Sequence, residues 1–176
     1  MSNPGWRHRL RRFDDFPRPG VGFLDLMPAL ADASSFGALI AALAGPWRGS
    51  VKPDVVAGIE SRGFLLGAPL AQHLGCGFVP LRKPGKLPGP TLRRAYALEY
   101  GEDALEMQAD ALKPGQRVLL VDDVLATGGT LAAGIGLLNE LGAELLGAGV
   151  VLEIVALGGR ARLPATCRVE VLERVG

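Results

Sequence analysis

The sequence has few of the residues from which disulfide frameworks and metal centres are built. Its 176 residues include two cysteines, Cys76 and Cys167, and two histidines, His8 and His73. Neither cysteine lies at a metal-ligand spacing, and the two histidines are too far apart in sequence to form a ligand pair. We therefore predict a fold without a disulfide framework and without a metal site built from protein ligands alone.

An excess of charge of either sign is also absent. Nineteen Lys and Arg residues stand against eighteen Asp and Glu residues, which gives a formal net charge of +1. A balance this even favours neither nucleic acid nor a membrane surface as a partner of the whole protein. The locally basic segment from Trp6 to Phe13 is interpreted as a solvated helix face with Trp6, Leu10 and Phe13 turned inward, and nucleic-acid contact is the alternative.

Long apolar runs and targeting segments are missing too. The Arg-rich N-terminus is followed by no apolar stretch, so no signal peptide is predicted. No apolar run approaches the roughly 20 residues that a membrane-spanning helix needs. We expect a cytoplasmic, soluble protein with no membrane partner, and a length of 176 residues suits a single domain over residues 1–176.

Short apolar runs alternate with helical patterns along the chain. Strands are predicted at residues 51–57, 78–81, 118–121, 146–155 and 168–172, and helices at 34–44, 62–74 (broken or kinked by a proline at position 69) and 130–141. The strands are continuously apolar, which is typical of a parallel sheet covered by helices on both faces. The predicted class is therefore α/β, with ligands bound beyond the carboxyl ends of the strands.

Proline and glycine are concentrated in one stretch that follows the second predicted strand. It contains Pro84, Gly85, Pro88, Gly89 and Pro90, and such a composition opposes regular secondary structure. A long irregular loop inside a compact domain usually has a function. We therefore predict a flexible active-site loop over residues 83–98.

The segment from Val118 to Thr130 reads Val-Leu-Leu-Val-Asp-Asp-Val-Leu-Ala-Thr-Gly-Gly-Thr. A buried strand that leads into a Gly-rich turn and then a helix offers backbone N–H groups and the positive end of a helix dipole to a phosphate. The adjacent Asp122 and Asp123 would repel a phosphate, so we expect them to face hydroxyl groups or a metal. Hydrogen-bond donors for a phosphate beside carboxylates that accept from two hydroxyl groups predict a site for a sugar phosphate.

Two commoner nucleotide-binding loops do not fit this segment. A Walker loop requires Lys after its last glycine, whereas Thr130 follows Gly129 here. A dinucleotide-binding loop requires three spaced glycines directly after its strand; Gly134 and Gly136 lie inside the next predicted helix, and the third glycine is missing. The remaining alternative is an ordinary strand–turn–helix connection with acids at the sheet edge.

The segment resembles the phosphoribosyl-pyrophosphate-binding motif of the type I phosphoribosyltransferases. Four further stretches resemble the branch of that family that acts on adenine: residues 15–23, 58–64, 82–91 and 98–101. The matches run in order from about Phe13 to Leu163, which is nearly the whole chain. The resemblance implies the type I phosphoribosyltransferase fold, with an N-terminal hood over about residues 1–33 and a flexible active-site loop.

The resemblance also implies an activity and a set of partners. The family transfers a phosphoribosyl group from phosphoribosyl pyrophosphate to a purine ring nitrogen and releases pyrophosphate; with adenine the product is AMP, a step of purine salvage. Magnesium would arrive bound to phosphoribosyl pyrophosphate. The implied assembly is a homodimer.

Site residues follow from the resemblance position by position. The ribose phosphate is assigned to Ala126, Thr127, Gly128, Gly129 and Thr130, and the ribose hydroxyls to Asp122 and Asp123. Pyrophosphate is assigned to Arg62, Arg82, Lys83 and Lys86, the base to Gly22 and Phe23, and catalysis to Glu99 and Tyr100.

Several alternatives stay open on the sequence alone. The base could be another purine, or the protein could be a purine or phosphoribosyl-pyrophosphate sensor, although the retained Glu99 favours an enzyme. Arg93 and Arg94 could simply be solvated. At Leu24 relatives usually carry Arg or Lys, so weaker donor binding is expected unless a neighbouring basic side chain supplies the charge.

Overall fold

The structure, a computed structural model, describes residues 5–16, 19–20, 22–49, 51–97 and 102–176. Nine strands are found in these ranges: β1 Arg11–Phe13, β2 Phe23–Asp25, β3 Val55–Ile59, β4 Gly77–Leu81, β5 Thr91–Ala97, β6 Glu102–Gln108, β7 Arg117–Leu125, β8 Glu144–Ile154 and β9 Val169–Val175. The α-helices there are α1 Met27–Leu30, α2 Ala33–Ala44, α3 Arg62–Leu74 and α4 Gly129–Glu140. Short 3-10 turns lie at Arg7–Arg9, Gly45–Trp47, Val155–Leu157 and Gly159–Arg162.

Five of the strands form one parallel sheet in the order β4-β3-β7-β8-β9. Helix α4 and strand β6 supply buried side chains to one face, among them Leu105, Met107, Leu131 and Leu138. Helices α2 and α3 cover the other face, with Leu39, Leu43, Leu66 and Leu70 buried there. The predicted α/β class with helices on both faces is confirmed.

The predicted strands of the sheet and the predicted helices are present, most of them with ends that differ by a few residues. Helix α3 has the predicted bounds and continues through Pro69 to Leu74, so the expected break does not occur. Strand β3 begins at Val55 rather than Val51. Strand β7 extends to Leu125, beyond the predicted end at Val121, because its apolar residues after the two acids continue the pairing with β8.

The largest error concerns the Pro/Gly-rich loop. Residues 91–97 were predicted to be irregular but form β5, which pairs antiparallel with β6 from Thr91↔Gln108 to Ala97↔Glu102. The prolines and glycines stop at Pro90, and β5 then gains a full ladder of backbone hydrogen bonds from a strand that the sequence pattern did not reveal. We call β5 and β6 the ribbon. The predicted mobility of the loop stays a prediction.

The N-terminal basic segment also differs from its prediction. It forms a short 3-10 turn and then β1, which pairs with β2, instead of a helix face. Trp6 is fully buried as expected, but Phe13 is exposed. Within the described ranges, no helix is long and apolar enough to cross a membrane.

Candidate active site

The candidate site lies where β3 and β7 end side by side. Gly58 of β3 pairs with Val121 of β7, so the residues that follow each of them share one edge of the sheet. Glu60, Ser61 and Arg62 follow β3, and Asp122 and Asp123 come next on β7. Parallel strands bring their carboxyl ends to the same edge, where ligands of such sheets bind.

Asp122 and Asp123 are both buried, at 8% and 5% exposure. Asp122 Oδ1 accepts a 2.9 Å hydrogen bond from the backbone N–H of Asp123, and Asp123 Oδ2 lies 2.5 Å from Nε of Arg62. Burial, and then the neighbouring Asp123 carboxylate, raise the pKa of Asp122 well above its usual value. Burial also raises the pKa of Asp123, against the opposing effect of Arg62.

These shifts determine what the pair of acids can do. A carboxyl oxygen accepts hydrogen bonds, and the group also donates one for as long as it holds a proton. Two neighbouring carboxyls of this kind suit a pair of hydroxyl groups. Gly63 at the start of α3 lets that helix pack closely against β7 at the two acids: a Cβ there would lie 2.8 Å from the Val121 carbonyl oxygen and 3.3 Å from Asp122 Oδ1.

The Gly-rich loop after β7 has the backbone geometry of an anion site. Gly128 has φ +81° and precedes the first residue of α4, Gly129. The N–H groups of a first helical turn have no intrahelical acceptor, and the helix dipole adds positive potential there. Thr127 and Thr130 are half-buried beside this turn, so their hydroxyl groups extend the set of donors.

The loop is supported from behind by the backbone at Gly159. A Cβ at Gly128 would lie 2.2 Å from the Gly159 carbonyl oxygen, and a Cβ at Gly159 would lie 2.0 Å from the Ala126 carbonyl oxygen. The next residue, Arg160, donates two 2.9 Å hydrogen bonds to Glu153 at the end of β8. The sequence pattern did not predict this support, since neither Gly159 nor Glu153 lies near the loop in sequence.

The other three basic residues assigned to pyrophosphate have two further acidic partners. Arg82 Nε lies 3.3 Å from Glu60 Oε2, and Lys86 Nζ lies 2.5 Å from Glu60 Oε1. The Lys83 ammonium group instead contacts Asp103 and the Tyr96 hydroxyl group of the ribbon. Glu60, Tyr96 and Asp103 were not predicted as site residues.

The ribbon lies directly against the phosphate loop. A Cβ at Gly129 would be 3.2 Å from the Tyr96 ring and 3.2 Å from the Ala97 carbonyl oxygen. The guanidinium of Arg162 lies nearby, 3.8 Å from the same point. Arg93 and Arg94 are exposed on β5, and the Arg94 guanidinium lies against Gly136 of α4.

Phe23 begins β2 in the N-terminal pair of strands, and Gly22 comes just before it. Phe23 is half-buried and its ring centroid lies 5.0 Å from that of Phe16. Gly22 lines a cleft of ≈ 260 Å³ together with residues at the ends of β8 and β9. Leu24 packs against the core beneath α2 and α3, and its strand partner Arg12 donates a 2.9 Å hydrogen bond to Asp14.

Two assigned residues cannot be located. Glu99 and Tyr100 lie outside the described residues, between the ends of β5 and β6 in the chain.

A parallel α/β sheet with buried acids and a Gly-rich loop at one strand end is the architecture of a protein that holds a phosphorylated sugar. Residues 29–171 match the family model of the phosphoribosyl transferase domain. The adenine phosphoribosyltransferase of Xanthomonas campestris pv. campestris (strain B100) is 55% identical over 157 residues, which cover 89% of this chain and 84% of the relative.

Solved structures of adenine phosphoribosyltransferases are also similar to this chain. The adenine phosphoribosyltransferase of Rhodothermus marinus is 46% identical with a TM-score of 0.89, covering 97% of this chain and 96% of its own. The Saccharomyces cerevisiae enzyme, complexed with D-2,5-dideoxy-2,5-imino-altritol 1,6-bisphosphate and adenine, is 41% identical with a TM-score of 0.89, covering 95% and 96%. The chain belongs to the adenine phosphoribosyltransferase family.

The buried acids should make the protein less stable at neutral pH than it would be without them. Because the folded pKa of Asp122 is raised, the stability associated with this group is complete below its unfolded pKa of 3.8 and is lost as the pH rises through its folded value. Asp122→Asn should therefore raise the thermal midpoint at pH 7 by roughly 2–4 °C, about 1 kcal/mol. The gain should disappear near pH 3.5.

Thermal unfolding followed by circular dichroism at both pH values checks this. Asp54→Asn is the control with the opposite sign, because hydrogen bonds from Arg117 lower the pKa of Asp54 to about 2. An Asp122→Asn variant that is less stable than the wild type at pH 7 would contradict the prediction.

The support behind the phosphate loop is tested by two adjacent glycines. Gly159→Ala places a methyl group against the backbone of Ala126 and Gly128, so we expect a loss of about 1–3 kcal/mol from overpacking and weaker donor binding. Gly158→Ala meets nothing within 4 Å but has φ +62°, so it should cost only about 1 kcal/mol with donor binding unchanged. Equal affinities for phosphoribosyl pyrophosphate in the two folded variants would show that Gly159 does not support the phosphate loop.

Proposed function

We propose that this protein transfers the phosphoribosyl group of phosphoribosyl pyrophosphate to adenine, giving AMP and pyrophosphate in purine salvage. The observation that carries this is the pair of buried acids, Asp122 and Asp123, near the end of the strand that leads into the Gly-rich loop at the start of α4. The S. cerevisiae relative, solved with a bisphosphate and adenine together, supports both the phosphorylated substrate and the base.

The ribose 5-phosphate is proposed to bind the loop from Ala126 to Thr130. Backbone N–H groups of Gly128 and Gly129 and the hydroxyl groups of Thr127 and Thr130 would donate to its oxygens. Because Gly159 fixes the loop from behind, these donors are arranged before the ligand arrives. Preorganised donors cost no rearrangement on binding.

The ribose hydroxyls are proposed to bind Asp122 and Asp123. Asp123 is paired with Arg62, which we also assign to pyrophosphate. The polyanionic donor would attract Arg62, and the freed carboxylate would then be available to a ribose hydroxyl. As the bond to pyrophosphate breaks, positive charge develops on the ribose, and nearby carboxylates stabilise it, as in glycoside hydrolysis.

Magnesium is proposed to arrive with the donor. Among the described residues no group of three His, Cys, Asp or Glu side chains could hold a metal ion. Mg²⁺ is commonly held by one or two carboxylates together with substrate phosphates, and Asp122 and Asp123 supply carboxylates at this edge of the sheet. The ion would neutralise charge on the leaving pyrophosphate, alongside Arg62, Arg82, Lys83 and Lys86.

The base and its proton are assigned to residues of two separate segments. Phe23 would stack on adenine, and backbone groups of Gly22 would bind its edge. Glu99 would accept a proton from adenine or stabilise its developing charge, and Tyr100 would close over the site. The motif of residues 98–101 supports these last two roles.

The decisive experiment combines a panel of bases with a double variant. Wild-type protein with phosphoribosyl pyrophosphate and Mg²⁺ should form a nucleotide from adenine in preference to guanine, hypoxanthine, xanthine or uracil. Asp122→Asn with Asp123→Asn should lower turnover by about 100-fold, because two charged hydrogen bonds of about 1.5 kcal/mol each are lost. Asp54→Asn, at the other end of β3, should leave turnover unchanged.

Nucleotide formation is measured by chromatography, and folding by circular dichroism. A folded double variant with near-normal turnover would remove the assignment of the two acids. Preferential formation of another nucleotide would favour the alternative purine, and donor binding without any product would favour a sensor.

We further propose that the chain acts as one domain, in the cytoplasm, as a homodimer. The assembly is implied by the family, and an exposed apolar groove supports it. The groove lies between α1, α2 and α3, and Met27 and Leu65 expose 40% and 48% of their surface there. Apolar patches of this kind commonly mark interfaces between proteins.

A charge in the groove should weaken the dimer. Leu65→Glu would place a carboxylate on α3 where an apolar contact is expected, at a cost of several kcal/mol, and should shift the protein toward the monomer. Light scattering coupled to size-exclusion chromatography measures the mass. Val51→Glu, at an exposed valine outside the groove, is the control; equal masses for both variants would exclude the groove as the dimer interface.

A further inference from the structure

Glu60 is an acidic side chain among the basic residues proposed to hold a polyanion. Its carboxylate is only 10% exposed and lies directly after β3. A carboxylate at such a place repels phosphate oxygens and opposes the binding of phosphoribosyl pyrophosphate, unless neighbouring cations neutralise its charge. The contacts that it makes indicate its role.

Three donors converge on the Glu60 carboxylate. Oε1 accepts from Lys86 Nζ at 2.5 Å, and Oε2 accepts from the Lys83 backbone N–H at 2.9 Å and from Arg82 Nε at 3.3 Å. Although burial opposes the shift, the hydrogen bonds from Lys86, Lys83 and Arg82 lower the pKa of Glu60 to about 2. The carboxylate is therefore charged throughout the neutral range.

The side chain of Arg82 is fixed at two points. Nε bonds to Glu60, and Nη1 donates a 3.1 Å hydrogen bond to the Lys86 carbonyl oxygen. Its backbone is held separately by β6, through a 2.9 Å bond to the Glu106 carbonyl oxygen. Within the described part of the chain, Nη2 makes no hydrogen bond, so the guanidinium keeps two N–H groups for a ligand.

We propose that Glu60 is a positioning residue for the pyrophosphate group. It holds Arg82 and Lys86 together, so that their remaining N–H groups are available to phosphoribosyl pyrophosphate. This inference rests on the proposed function. Without the carboxylate the two cations would repel each other and sample many conformations. Leaving this buried carboxylate unpaired costs several kcal/mol, and pyrophosphate has no hydrogen-bond donor to replace the partners of Glu60, so Glu60 keeps them when the substrate binds.

The strand that precedes Glu60 offers a matched control at its opposite end. Asp54 comes just before β3 and accepts two side-chain bonds from Arg117, at 3.0 and 2.6 Å, and one from the Arg117 backbone N–H at 2.9 Å. Hydrogen bonds from Arg117 bring its pKa to about 2 as well. Asp54→Asn thus removes the same charge from the same strand, away from the site.

The experiment measures both directions of the reaction in the full-length protein with Mg²⁺. Glu60→Gln should raise KM about tenfold for phosphoribosyl pyrophosphate and, in the reverse reaction, for pyrophosphate, the equivalent of one charge-assisted hydrogen bond. The KM values for adenine and AMP should stay within about twofold. Asp54→Asn should change none of the four, and an inactive wild type would refute the proposed function rather than this inference.

Two further variants separate positioning from general stability. In an Arg82→Ala, Lys86→Ala background, adding Glu60→Gln should have little further effect on KM, because the residues through which it acts are gone. Glu60→Asp keeps the charge but shortens its reach, so it should raise the donor KM in the same direction by less, and it serves if Glu60→Gln does not fold.

The results that overturn the proposal are distinct. Equal increases in all four KM values would show a structural role only. A lower KM for pyrophosphate in Glu60→Gln would show that Glu60 competes with the phosphates for the two cations. A further tenfold increase in the donor KM when Glu60→Gln is added to the Arg82→Ala, Lys86→Ala background would exclude action through Arg82 and Lys86. An unchanged donor KM in folded Glu60→Asp would exclude it as well.

Discussion

Burial of two adjacent carboxyls at the end of the central strand is the constraint on which the site depends. Asp122 and Asp123 continue β7, whose pairing with β8 runs through the site to Leu125. Taking two acids out of water at one place is unfavourable unless protons or cations compensate for their charge. The raised pKa values and the contact with Arg62 are that compensation.

The neighbouring basic residues are likewise paired with opposite charges. Each of the four residues assigned to pyrophosphate has an acidic partner: Arg62 has Asp123, Lys83 has Asp103, and Arg82 and Lys86 share Glu60. A cluster of unpaired cations would repel one another and hold their side chains poorly. Pairing each with an acid keeps the cluster compact and its side chains in place.

Support for the phosphate loop comes from segments that are remote in the chain. Gly159 lies behind the loop and Tyr96 lies over its Gly129, while Glu153 fixes Arg160 beside the first of these contacts. These residues were absent from the predicted site because they carry no motif of their own. A backbone contact between glycines leaves no recognisable pattern in either segment.

The sequence alone determined the α/β class, helix α3 to its end residues, and the family, because apolar runs, helical periodicity and the Asp-Asp to Gly-Gly-Thr segment are local properties. It failed at residues 91–97, where pairing with β6 prevailed over the Pro/Gly-rich context. Only the tertiary structure decided which acid each basic residue contacts and what lies behind the phosphate loop. Ion pairs and backbone contacts form between segments that meet only when the chain folds, so their partners cannot be predicted from the spacing of residues along it.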